Sequence, residues 1–258
     1  MTIKLNGVRV RPAVVVPPPE PAPPTTQLIG WWRADDIAQA EGSSVTSWKD
    51  RSGECGAILQ APSMSAPTLN LSVPGFNNKP AVDFNGSAQL RRAQLPNYPV
   101  GNGEFSLYVV HDPTLVGSIR PIFGWGRNNA TQQRMCMTLF DAGMNWIVVG
   151  EGYAAATKSY AVTGDPQIAS IFHASGTNMG DDEIWIDGVP GGDGSGSALP
   201  WNIPDPCNEV CMGGLPEERA VAYVGKIAEV LVYKKYHTLT ERAETLSYLS
   251  SRYGISVA

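Results

Sequence analysis

Short runs in which apolar and polar residues alternate, each closed by glycine, proline or asparagine, recur from Thr26 to Tyr233. They read LIGWWRA (28–34), VTSW (45–48), PAVDF (80–84), EFSLYVVH (104–111), RPIFGWG (120–126), MCMTLF (135–140) and NWIVVG (145–150), then QIASIFHA (167–174), EIWIDG (183–188), NEVCMG (208–213) and YVGKIAEVLVY (223–233). A period of two sends one set of side chains to a core and the other toward water, as in half-buried strands. So many short strands with turn residues between them predict two packed antiparallel sheets.

The periodicity changes once, near the C-terminus. Thr238-Leu239-Thr240-Glu241 fits a capping box, in which the threonine hydroxyl and the glutamate carboxylate satisfy each other's backbone amides. Leu239, Ala243, Leu246, Leu249 and Tyr253 follow at helical spacing, and Gly254 then Ile255 form the expected stop.

The other end is different again. Asn6-Gly7 predicts a two-residue type I′ turn. That turn pairs Leu5 with Val8 and Ile3 with Val10 on one face, with Lys4 opposite Arg9 on the other. An isolated hairpin is marginal in water, so these four apolar residues are candidates for assembly contacts. Next comes PPPEPAPP (17–24), an extended polyproline stretch of roughly 25 Å. The expected organisation is therefore a hairpin arm (1–12), a proline-rich linker (13–26) and an all-β sandwich (27–258).

Composition narrows the partners. A net charge of −5 lacks the basic field that nucleic-acid backbones require. Arg9, Arg11 and Pro12 interrupt any leader-like apolar run, and no stretch approaches a membrane span. Cys207 and Cys211 are spaced so that a bridge is conceivable, but four reduced thiols are the expectation.

Several segments together resemble the laminin-G-like, concanavalin A-like domains found in bacteriophage virion proteins and bacterial surface proteins. They are WWRAD (31–35), the W-x-D-x-S-G element of VTSWKDRSG (45–53), KPAVDFNGSAQL (79–90), EIWIDGVP and the closing VGKIAEVLVYKKYHTLTERAETLSYLSSRYGI (224–255). The resemblance implies a two-sheet antiparallel jelly-roll sandwich with one C-terminal helix. It leaves function open, because that fold hosts lectins, hydrolases and structural modules. In plain physical terms, Trp48 belongs in the core, Asp50, Ser52 and Gly53 make a side-chain-bonded turn, and Asp187-Gly188 is a hairpin signal.

Glucanase relatives of this fold place carboxylates at i, i+2 and i+4 of one strand. The nearest string here is Glu183-Ile184-Trp185-Ile186-Asp187, with tryptophan in the middle position and Asp187 in a turn. A retaining pair needs carboxyls about 5–5.5 Å apart, whereas a strand advances about 7 Å every two residues. His111, His173 and His237 are the only histidines, and no GxSxG elbow accompanies them. GGDGSGS (191–197) lacks the lysine and helix of a phosphate cradle. Calcium would need converging oxygens; Asp181, Asp182 and Asp193 sit in loops, where three solvated carboxylates are expected. No cofactor is expected. Sugar binding would use an exposed aromatic platform, for which Trp201, in the loop GSALPWNIPDP, and Trp146 with Tyr153 are the candidates.

The expectation is a non-enzymatic virion component, a fibre, decoration or tail-associated protein. Its arm would join other virion proteins or its own copies as a homo-oligomer, and its sandwich could touch host glycans. The alternatives are a carbohydrate-binding module of a bacterial surface or secreted protein and, behind it, a glycoside hydrolase.

Overall fold

The computed structural model describes residues 4–5, 8–9, 21–115, 119–127, 133–140, 146–150, 156–161, 163–191 and 198–258. A two-residue ribbon, β1 (Lys4–Leu5) with β2 (Val8–Arg9), pairs Leu5 with Val8 and Lys4 with Arg9, the register that an Asn6-Gly7 turn predicts. Ile3 and Val10 lie outside the described residues.

The body is a two-sheet antiparallel sandwich, as expected. Its strands are β3 (Leu28–Arg33), β4 (Ser47–Trp48), β5 (Ile58–Gln60), β6 (Thr68–Val73), β7 (Lys79–Asn85), β8 (Leu90–Leu95), β9 (Phe105–Pro113) and β10 (Ile119–Gly126). They continue as β11 (Arg134–Phe140), β12 (Trp146–Gly150), β13 (Ala156–Ala161), β14 (Gln167–His173), β15 (Glu183–Ile186), β16 (Val189–Gly191), β17 (Cys207–Met212) and β18 (Val224–Tyr233). One sheet runs β13-β12-β11-β10-β17-β8-β5-β4. The other runs β16-β15-β14-β9-β18-β7-β6, with β3 also on β18. Between them lies an aromatic core that includes Trp32, Trp48, Phe84, Phe105, Phe123 and Trp125. The Phe105 and Trp125 rings meet edge-on at 4.9 Å.

Turn chemistry holds the loops. Asp50, 2% exposed, accepts from the backbone amides of Trp31, Ser52, Cys55 and Gly56 and from the Ser52 hydroxyl. The W-x-D-x-S-G element is thus a structural staple that fastens the loop to β3. All four cysteines are buried and unbridged. Cys207 and Cys211 share β17, about 13 Å apart along an extended strand, so they cannot bridge.

The helix α1 (Leu239–Tyr253) lies on the outer face of the second sheet and makes a third layer. Its capping box and its left-handed Gly254 stop (φ 70°) are both formed. The inward face differs from expectation: Arg242, Thr245, Leu246, Tyr248, Leu249, Arg252 and Tyr253 are buried, whereas Leu239 is 71% exposed and Ala243 is exposed. Polar side chains occupy the seam because buried carboxylates beneath the helix require them.

Glu229 is the chief of these. A β-bulge between Ile227 and Glu229 turns both Ala228 and Glu229 outward under the helix. There the fully buried Glu229 carboxylate accepts from Trp31 Nε1 (2.5 Å), Tyr248 Oη (2.9 Å) and Tyr253 Oη (2.7 Å), with Arg252 Nε at 3.7 Å. Burial raises its pKa, against the pull of those donors. Glu229→Ala would strand three buried donors, and should cost about 3–5 kcal/mol in urea denaturation. A loss below about 1 kcal/mol, the worth of one ordinary hydrogen bond, would contradict this role.

Candidate functional site

Of the aromatic residues read from the sequence as a platform, Trp201 is not on the surface. Trp201 is 2% exposed. Its indole Nε1 donates to Asp182 Oδ2 (3.2 Å), and its backbone amide donates to Asn102 Oδ1 (3.0 Å). Asp182, expected to be a solvated loop carboxylate, is fully buried and also meets His173 Nδ1 at 2.6 Å. His173 Nε2 faces Asn102 Oδ1 at 3.0 Å, and its ring stacks on Phe105. This polar knot draws the 198–203 loop inward, and among the described residues no serine bonds the histidine. Asp181 caps its own short turn through the Asn178 amide. Asp193 and Tyr153 fall outside the described residues. Trp146 begins β12 opposite Phe140 and Ala161, and its side chain is outside the described residues too. Among the described residues no group of three metal-ligating side chains converges.

Of the aromatic rings whose side chains are described, only Trp185 and Tyr236 are not buried. Both belong to one cluster. Asp187 (φ 50°) and Gly188 (φ 80°) make the left-handed two-residue turn that joins β15 to β16. Alternation along β15 then sends Ile184 and Ile186 into the core and Glu183 and Trp185 to the outer face. Helix α1 delivers Arg242 onto that face. Its guanidinium lies 3.8 Å from the Phe172 ring centroid, 4.8 Å from Trp185 and 4.9 Å from Tyr236.

Glu183 completes the cluster. It takes a fork of two bonds from Arg242 (2.7 and 2.9 Å), one from Trp185 Nε1 (3.1 Å) and one from the Tyr236 hydroxyl. Its acceptor positions are filled from within. The bonds from Arg242 lead in holding its carboxyl down to about 2, so it stays ionised and has no proton to give as a general acid. Asp187 points elsewhere, accepting the Ile168 amide at 2.7 Å, and its burial raises its pKa. The Glu183–Asp187 string is therefore a strand-to-helix clasp and a turn, held apart by different partners. What the cluster presents to solvent is aromatic surface beside a saturated ion pair. Sequence spacing alone could not find it, because Arg242 and Glu183 are 59 residues apart.

The other histidines are internal. Gln167 Nε2 stands 3.1 Å from His111 Nε2, which must then be the acceptor, leaving the proton on Nδ1 toward Tyr223 Oη (3.0 Å). Burial pushes His111 down to about 3 and His237, which meets Tyr108 Oη at 2.9 Å, down to about 4.

No protein-family model matches the chain, and no curated protein sequence matches it. Solved structures do. A sialidase of Trypanosoma rangeli in complex with sialic acid aligns with a TM-score of 0.58 at 18% identity, covering 90% of this chain and 34% of that one. Domain 4 of AbnA, a GH43 extracellular arabinanase of Geobacillus stearothermophilus in complex with arabinotriose, aligns at 0.57 and 13%, covering 88% and 98%. A botulinum neurotoxin type C structure, described with its dependence on two ganglioside molecules for cell entry, aligns at 0.57 and 10%, covering 86% and 51%. The chain thus spans about a third of the sialidase and nearly all of the arabinanase domain. At these identities the likeness establishes the fold alone, a two-sheet antiparallel β-sandwich.

The two buried histidines contribute to the acid response, while Asp187 and Glu229, with raised carboxyl pKa values, act in the opposite direction. A histidine whose pKa is depressed contributes stability that is complete above its ordinary value of 6.5 and is lost as pH falls toward the folded value. For His111 and His237 that window runs from 6.5 down to about 3 and about 4. Glu183 adds a later loss, as pH drops from 4.5 through about 2. Both imidazoles should therefore keep neutral-form NMR shifts at pH 5. Titration of either ring near 6.5 would contradict this.

Proposed function

We propose that the chain is a non-catalytic glycan-binding module, displayed on a bacteriophage particle through its N-terminal arm. The observation that carries the binding reading is the partial exposure of Trp185 and Tyr236 on the outer face, around an internally saturated Glu183–Arg242 pair. A pyranose or furanose ring has an apolar C–H face that packs on an aromatic ring without requiring that carboxylate. The fold likeness supports the ligand class, since the matching arabinanase domain holds arabinotriose and the matching toxin uses gangliosides. Two facts support binding over cleavage: Glu183 is locked as an ion-paired anion, and Asp187 is committed to its turn.

The display reading rests on the resemblance to virion domains and on the arm that precedes the sandwich. Within it, Ile3, Leu5, Val8 and Val10 are the assembly residues. A second reading, the same module appended to a secreted enzyme, is favoured by the near-complete match to one domain of an extracellular arabinanase.

Affinity electrophoresis through gels containing arabinan or other soluble polysaccharides should retard the protein. Trp185→Ala should weaken that retardation at least about tenfold, roughly 1.4 kcal/mol, with far-UV spectra unchanged. Equal mobility of the two proteins in every gel would sink the assignment. For the arm, light scattering should give an oligomer for the full chain and a monomer for a chain beginning at Thr26. Monomers in both cases would rule out self-assembly through the hairpin.

A further inference from the structure

A second surface, built from different residues, has the opposite chemistry. Where the proline-rich segment enters the sandwich, four separate stretches line an open, shallow cleft of about 420 Å³, within the size range of small-molecule sites. Thr25 and Gln27 come from the turn before β3, Glu54 from the Asp50 loop, Asn97 from the segment after β8, and Lys234 from the end of β18.

The backbone under each wall is pinned. Tyr233 Oη donates to the Pro24 carbonyl (3.0 Å), the Lys234 amide to the Gln27 carbonyl (2.9 Å), and the Leu28 amide to the Thr25 carbonyl (3.2 Å). Asp50 holds the amides of Cys55 and Gly56, fixing Glu54 beside them. The cleft is therefore set before any ligand arrives, which lowers the ordering cost of binding.

The side chains, in contrast, are largely unengaged. Among the described residues Thr25, Gln27 and Lys234 have no side-chain hydrogen-bond or ionic partner. Asn97 Nδ2 donates to Glu54 Oε2 at 3.2 Å, which orients the carboxylate and leaves its other oxygen open. Gln27 is also held in the left-handed region, at φ 59°.

We infer that this cleft is a second saccharide site, one that grips sugar hydroxyls rather than ring faces. A carboxylate accepts from two neighbouring hydroxyls, the amides of Asn97 and Gln27 both donate and accept, and Lys234 donates to ring or hydroxyl oxygen. This alternation of donors and acceptors matches a neutral mono- or disaccharide. The inference shares its ligand class with the proposed function and none of its residues.

The test is an NMR titration of the ¹⁵N-labelled full chain with arabinotriose, cellobiose and maltose, each taken to about 10 mM so that millimolar sites are filled. At least one sugar should shift the side-chain amide signals of Asn97 and Gln27, in the native protein and equally in Trp185→Ala. In Glu54→Ala and Lys234→Ala, both at exposed positions, the apparent affinity should fall at least tenfold. The cleft assignment is overturned if those amides stay still with every sugar, or if they shift equally in the two cleft variants. A shift confined to the Trp185 indole would overturn the cleft and leave the proposed function standing. Shifts at the amides without any at the indole would uphold the cleft and remove the Trp185 surface.

Discussion

The structure turns on one carboxylate that water does not reach. Glu229 sits in the middle of β18, the strand that pairs with β9 on one side and with β7 and β3 on the other. The bulge beside it takes the side chain out of the inter-sheet core and places it under α1, where Trp31 and two tyrosines converge on it. A charge so buried is tolerated only when its donors are held in place. Strand β3, the bulge and the helix must therefore adopt one mutual arrangement, and the third layer is fixed on the second sheet. The same logic recurs at Glu183, where Arg242 from the helix clasps the sheet edge, and at Asp50, where backbone amides close a loop.

Much of this was legible in the chain. Most strands found by alternation have inner faces that are chiefly aliphatic and aromatic, with His111, Gln167 and His173 as buried exceptions, so their pattern survives in sequence. The capping box, the glycine stop and the Asp187-Gly188 turn are local chemistry, complete within a few residues. What escaped notice has polar residues on its hidden side. Strand β8, LRRAQL, reads as polar, yet Arg91 is buried against Glu209 and the carbonyl of Leu215. Strand β6 reads TLNLSV, with too few apolar residues to stand out. The inner face of α1 was misplaced for the same reason: Arg242 and Arg252 point inward because carboxylates await them there.

The functional surface shows the limit more sharply. Trp201 lies in a loop rich in glycine, serine and proline, and its burial depends on Asp182 and Asn102, which are 19 and 99 residues away. Trp185 stands in a strand that reads as ordinary sheet, and becomes a surface feature only because Tyr236 and Arg242 arrive from beyond β18. Composition can indicate that aromatic residues are plentiful; the long-range pairing of carboxylates decides which of them face water. Both the aromatic edge and the polar cleft are consequences of where those pairs fall. On the proposed reading, a scaffold that ties Asp50, Glu183, Asp187 and Glu229 into loops, layers and turns holds a ligand rather than cleaving it.

Native mass spectrometry of the full chain after incubation with a mixed oligosaccharide library addresses that claim most directly, because one spectrum reports both binding and the fate of the ligand. The account predicts protein–saccharide complexes whose bound and recovered sugars keep their original masses. Absence of any complex, or recovery of shortened sugars carrying the added mass of water, would contradict it.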